Sequence, residues 1–259
     1  MERIRDTKSS GITAAALRTW GMVFLAMGIV ATGILQNRLL RLGEVSPGQL
    51  LQAMQSSDSV MAFATLALVL RAVATCAVPI FALLLVEGAR HTGSFRNYFL
   101  RVAGLALLSE IPYNLAISGR VLDLTTRNPA FGLAVGLFML WLYGRFPGKN
   151  FSRVLIRGMV TLAAVLWCAM LSVECGGCLV FVTAVLWAFR EKPLTRNIAG
   201  ACASLVCCLS SMFYMASPMG FLAVHLYNGE KGEQNRLVNY LTYPALLLLT
   251  WLAAALLTA

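Results

Sequence analysis

Charge and histidine are what this chain has least of. Only 12% of its 259 residues are charged, and two are histidine. A soluble domain carries about 25% charged residues, so the water-soluble globular classes are excluded. The lysines and arginines form no basic run interleaved with aromatics, so no nucleic-acid partner is expected. There is no Walker sequence and no Gly-x-Gly-x-x-Gly placed after a strand pattern, so this chain does not encode nucleotide hydrolysis. No repeat at fixed period is visible, so the inverted halves of many transporters are missing. No linker or low-complexity segment breaks the chain, and 1–259 reads as one domain. The seven cysteines (76, 168, 175, 178, 202, 207 and 208) lie in apolar runs without a loop framework, which argues against structural disulfides. Cys175 and Cys178 have CxxC spacing, but no second pair or nearby histidine accompanies them. No metal is therefore expected, and the cysteines read as small packing residues.

Apolar sequence is what the chain has in excess: 59% of residues are hydrophobic and the mean hydropathy is +0.74. A membrane-spanning helix needs about 20 predominantly apolar residues. Nine candidates emerge, at 17–36, 60–87, 98–118, 130–146, 154–172, 175–189, 197–214, 217–228 and 238–258. The predicted class is all-α, a polytopic integral membrane bundle of about nine transmembrane helices in the lipid bilayer. The second candidate is long enough to be tilted or broken near Arg71, the sixth is short, and the eighth has the length of a half-helix. Residues 47–58 carry Leu50, Leu51 and Met54 at helical spacing and predict a small interfacial helix. Residues 1–16 lack a convincing cleavage signal and read as a cytoplasmic tail.

Charge counting orients this layout. With the N-terminus inside, the inner segments hold Arg3, Arg5, Lys8, Arg18, Arg90, Arg96, Arg101, Arg145, Lys149, Arg153, Arg157, Arg190, Lys192, Arg196, Lys231 and Arg236. That is sixteen of the 21 cations. Arg38, Arg41, Arg120 and Arg127 fall outside, and Arg71 stays within the membrane. The bias matches the positive-inside rule.

Ionisable groups at membrane depth are costly and mark candidate sites. Glu87, Arg90 and His91 close the second candidate helix, and Arg96 and Arg101 open the third, so Glu87, His91 and Arg101 can meet at one surface. A carboxylate beside an imidazole orients a general base, and guanidinium forks match phosphate oxygens. The alternative is a helix-end ion pair that fixes topology. The third candidate ends in Ser109-Glu110-Ile111-Pro112-Tyr113-Asn114. Glu110 there can serve a proton, a cation or an acceptor group, or can simply pair with Arg120, Arg127 or a backbone amide. Arg71 needs a partner, with Glu174 and Glu110 the nearest carboxylates by depth. His225 is either a second candidate base or an interhelical hydrogen-bond group.

Several pieces together resemble the TraX family, conjugal-transfer membrane proteins associated with N-terminal acetylation of pilin. They are PIFALLLVEGARHT (79–92), YFLRVAGLALLSEIPYNLA (98–116), RNPAFGLAVGL (127–137), LSVECGGCLVF (171–181), LYNGEKG (226–232) and NYLTYPALLLL (239–249). The run from Val86-Glu87-Gly88 to Asn114 is the specific one. The resemblance implies an acyltransferase of the bacterial cytoplasmic (inner) membrane, with its N-terminus in the cytoplasm. Acetyl-coenzyme A is the implied donor, and the acceptor is a membrane-associated peptide, glycan or lipid. Family members usually carry Asp-His in the first helix, where this chain has Gly28-Ile29. They usually end in a YPLHL-like run, where Tyr243-Pro244-Ala245-Leu246-Leu247 stands here. Thr75 replaces an arginine, and Glu174-Cys175-Gly176 replaces Asp-Tyr-Gly.

The expected site is therefore His91 as base, oriented by Glu87, with His225 as the other candidate. Arg90, Arg96 and Arg101 serve as phosphate contacts, and Glu110, Asn114, Arg71 and Glu174 as substrate-side polar groups. Two alternatives follow from the same residues. One is a TraX-fold protein that lost the reaction with its histidines and acts in binding or assembly. The other is a small-solute transporter built around Arg71, Glu110 and Glu174.

Overall fold

The computed structural model describes residues 11–148, 150–233 and 236–258, and every regular element among them is helical. Residues 1–10 of the expected tail, and Lys149, lie outside the described residues. The chain order is α1 (Ala14–Val30), α2 (Pro47–Ser56), α3 (Asp58–Ala74), α4 (Ala77–His91), α5 (Phe95–Ile117) and α6 (Ala130–Arg145). Then come α7 (Phe151–Met170), α8 (Gly176–Ala188), α9 (Pro193–Val206), α10 (Gly220–His225) and α11 (Arg236–Thr258). Among the described residues, five helical stretches are long and apolar enough to cross a membrane: Ala14–Leu39, Asp58–His91, Phe95–Ile117, Phe151–Met170 and Asn239–Leu257. Ala130–Arg145, Gly176–Ala188 and Pro193–Leu209 are apolar but shorter. The eighth expected span reduces to a 3-10 stretch, Met212–Met219, followed by the six-residue α10. The architecture is a multi-pass helical membrane bundle.

Local chemistry sets the helix ends. Thr13 accepts a hydrogen bond from the Ala16 amide, and Ser94 accepts one from Asn97, each satisfying a first-turn donor that lacks an intrahelical partner. The expected helix at 47–58 is α2, started by a capping box between Ser46 and Gln49 with Pro47 in its first turn. Beyond Val30 the first span continues as a π-helical stretch, Ala31–Leu39. The long second span breaks at Thr75-Cys76, one turn after Arg71. There the Thr75 hydroxyl donates to the carbonyls of Ala72 and Phe213.

α4 and α8 form the centre. Ile80, Leu83 and Val86 of α4 pack with Leu17 of α1, Val182 and Leu186 of α8, and Phe221 of α10. Small residues permit these approaches. A Cβ added at Gly132 of α6 would stand 3.0 Å from the Gly176 Cα of α8. α7 lies outermost, with Met159, Leu162, Leu166 and Met170 exposed, the face a lipid-contacting helix presents.

Candidate functional site

Polar side chains gather at two ends of the bundle. α5 begins beside the end of α4 and carries Glu110 fifteen residues beyond Phe95, about 22 Å further along at 1.5 Å per residue.

At the first end, Glu87 is the hub. Its side chain is nearly buried, and one carboxylate oxygen accepts a hydrogen bond from Arg90 at 3.1 Å. His91, four residues on and therefore on the same helix face, places Nδ1 3.0 Å from the Glu87 carbonyl and 3.5 Å from its other carboxylate oxygen. If Nδ1–H donates there, Nε2 is the basic nitrogen, and the imidazole is largely exposed. A second cation comes from α9. Arg196, itself buried, sits 4.0 Å from Glu87 and donates from Nε to the Asn197 side chain at 3.2 Å. Tyr227 completes the group. Burial pushes its hydroxyl above the ordinary range and the Glu87 charge adds to that, while Arg196 and Arg90 pull it back. The loop bearing Tyr227 is pinned by the start of the chain: Ile12 donates to Leu226 at 2.7 Å, Asn228 to Ile12 at 3.1 Å and Ala14 to Glu230 at 2.8 Å.

The sequence-predicted residues are thus partly assembled. Glu87, Arg90 and His91 meet as their spacing requires. Arg96 and Arg101 lie at the same end, exposed, and neither forms an ion pair among the described residues. His225 ends α10, exposed, with no hydrogen bond or ion pair among the described residues. Arg196 and Tyr227 were not anticipated. Their contribution depends on how α9 and the 226–232 loop pack against α4, which no local spacing encodes.

At the opposite end, Glu110 accepts from Arg127 at 2.9 Å and from the Asn128 amide side chain at 2.6 Å. Asn128 is fully buried; it also donates to the Ala106 carbonyl at 2.9 Å and accepts from the Ala130 amide at 2.9 Å. Arg127 was one of the expected partners of Glu110, whereas Asn128 was missed. Glu174 accepts from the Tyr113 hydroxyl at 2.7 Å. It is held in place because its backbone amide donates to the Arg127 carbonyl at 3.0 Å. Tyr243 of α11 is buried nearby with its hydroxyl unpartnered. Asn114 turns elsewhere: its amide nitrogen reaches the Val121 carbonyl at 3.5 Å.

Arg71 corrects an expectation. Its guanidinium donates to the Gln36 side chain at 2.9 Å and lies 5.0 Å over the Phe213 ring, with neither Glu174 nor Glu110 as an ion-pair partner. The π-helical stretch turns Gln36 inward, where it is buried. A wide turn of this kind shifts which residues face the bundle.

The positions where the resemblance expects histidines border the polar cluster of Glu110 and Glu174. Ile29 is buried against Tyr113 and Tyr243, and Leu246 packs on the same cluster. At Gly28 even a Cβ would approach the Ala74 Cβ to 2.8 Å. Aliphatic side chains therefore close a space that borders tyrosines and carboxylates.

Among the described residues, no group of three or more His, Cys, Asp or Glu side chains is placed to hold a metal ion. All seven cysteines are free thiols. The curated proteins and the solved structures gave no match. The family model described as TraX protein matches residues 51–253, which takes in both polar clusters apart from Ile29 on its border. That match spans more than three quarters of the sequence, and the chain belongs to the TraX family.

Proposed function

We propose that the protein transfers an acyl group, an acetyl group in the simplest case, from a coenzyme A thioester to a membrane-associated acceptor. The reading places it in the bacterial inner membrane with the Glu87 end in the cytoplasm, the side to which the cation bias assigns it. One observation carries the proposal: an imidazole and two guanidinium groups converge on the Glu87 carboxylate, with Arg96 and Arg101 exposed at the same end. Anionic phosphates of the donor fit such a surface, since guanidinium groups form charge-assisted bonds to phosphate oxygens.

In this reading His91 Nε2 removes the proton from an acceptor amine or hydroxyl. The freed lone pair attacks the thioester carbonyl, and the carbon–sulfur bond breaks. The imidazolium then returns its proton to the departing thiolate. Glu87 orients the ring and stabilises the imidazolium, while the proton transfer by His91 is the contribution worth about 10² to 10⁴ in rate. Glu110 and Glu174 lie too far from His91 to touch the reacting atoms and brace the opposite end of the bundle.

A second reading has its own support. Ile29 and Leu246 seal the positions expected to hold histidines, which favours a TraX-fold protein that binds or assembles without turnover. Radiolabelled acetyl-coenzyme A, supplied to the purified protein in liposomes with bacterial membrane extract, separates the two. Label transferred by the wild type and lost at least about 100-fold in His91→Ala supports the first reading. Transfer unchanged in His91→Ala removes His91 from the mechanism. No label transfer by a folded protein supports the second reading.

A further inference from the structure

We infer that the valley formed by α7, α8 and the end of α9 is a binding site for one anionic phospholipid, with an acyl chain along α8 and the phosphate at Arg157 and Arg190. α7 and α9 each pack on α8, and the valley between them encloses about 1060 Å³. Its walls are apolar, with Leu162 and Val165 on one side, Phe181 and Val185 on the floor and Leu209 opposite. It runs beside α7 from Val154 to Ala169, about 22 Å at 1.5 Å per residue, most of the thickness of a bilayer's hydrocarbon core.

Charge complementarity selects the occupant. Arg157 and Arg190 both line the valley at its basic end. Arg157 donates to the Phe146 carbonyl at 2.7 Å, yet its Nε is buried without a hydrogen-bond partner. The terminal nitrogen of Arg157 that Phe146 does not engage is the donor for a lipid phosphate, in a charge-assisted bond. Arg190 donates to the Trp187 carbonyl at 2.8 Å and lies over the Trp187 ring; its contact to Glu191, at 3.9 Å, is loose. Two cations and one carboxylate, Glu191, therefore line the head of an apolar channel, which leaves it a net positive charge. This site is separate from Glu87 and does not depend on acyl transfer.

Native mass spectrometry of the full chain from detergent, titrated with phosphatidylglycerol or phosphatidylcholine of matched chains, tests it. The wild type is expected to retain phosphatidylglycerol at least about fivefold better, the preference one surface cation gives toward an anionic lipid. Arg190→Gln and Arg157→Gln should each erase much of that preference. Arg145→Gln should keep it, because Arg145 stacks on Trp141 and does not line the valley. A Cβ at Gly158 meets nothing within 4 Å, so Gly158→Trp can fill the valley without backbone strain and should lower retention of both lipids. Equal retention of the two lipids, an equal loss in Arg145→Gln, or unchanged retention in Gly158→Trp would overturn the inference. Preferential retention of palmitoyl-coenzyme A would overturn it too, by reassigning the valley to a thioester.

Discussion

Asn128 shows how much one side chain can hold at the Glu110 end. It is fully buried and makes three side-chain hydrogen bonds: to Glu110 at 2.6 Å, to Ala106 at 2.9 Å and from Ala130 at 2.9 Å. Asn128→Ala removes all three. A bond to a charged carboxylate contributes about 1.5–3 kcal/mol. The two neutral bonds contribute about 0.6 kcal/mol each, the average within membrane proteins. The expected loss is about 3 kcal/mol, most of it from leaving Glu110 to Arg127 and the Asn128 backbone alone. Unfolding by sodium dodecyl sulfate in dodecyl maltoside micelles, followed by circular dichroism, measures it. Arg127→Gln should cost less, since Arg127 is partly exposed and solvent screens its pairing. A loss under about 1 kcal/mol for Asn128→Ala, or a larger loss for Arg127→Gln, would refute the reasoning.

Other predictions concern packing and a loop charge. A Cβ at Gly33 would meet the Ala116 carbonyl oxygen at 2.5 Å, and one at Gly220 would press on the Cys76 carbonyl oxygen. Both obstacles are backbone, so Gly33→Ala and Gly220→Ala should each cost about 1–3 kcal/mol, whereas Gly144→Ala, which faces open space, should be neutral by the same micelle assay. Asp123, in the loop after α5, accepts from the Thr125 amide at 2.9 Å and from its hydroxyl at 2.7 Å. These bonds hold its carboxyl below the ordinary 3.8. Its small contribution is therefore fully present above 3.8 and is lost as pH falls below that through the lowered native value. Asp123→Asn should flatten the acid limb of a stability–pH curve by a few tenths of a kcal/mol at most, because the group is exposed; a steeper limb would contradict this.

The sequence made some of this legible. The Glu87–His91 contact follows from i,i+4 spacing on one helix, and α2 from the periodicity of Leu50, Leu51 and Met54. Helices α5, α6, α7 and α8 fall near their expected bounds because each apolar run is closed by a charged or glycine-containing turn. The expectation of nine spans is not matched by length: three apolar helices are short, and the 217–228 segment holds only the end of a 3-10 stretch and the six-residue α10. The contacts that escaped are tertiary. Arg196 reaches Glu87 from α9, Tyr113 reaches Glu174 across 61 residues, and Gln36 reaches Arg71 through a π-helical turn. Composition marks such residues as needing partners but does not choose the partner.

The most direct measurement is isothermal titration of acetyl-coenzyme A into the detergent-purified full chain, beside Arg90→Ala, Arg96→Ala, Arg101→Ala and His91→Ala. The account predicts saturable binding by the wild type. It predicts weakening by about 1.5–3 kcal/mol where an arginine–phosphate bond is lost, and near-normal binding by His91→Ala, whose role is in proton transfer. Absence of binding to a folded wild type, or binding indifferent to all three arginines, would contradict the assignment of the donor to the Glu87 end.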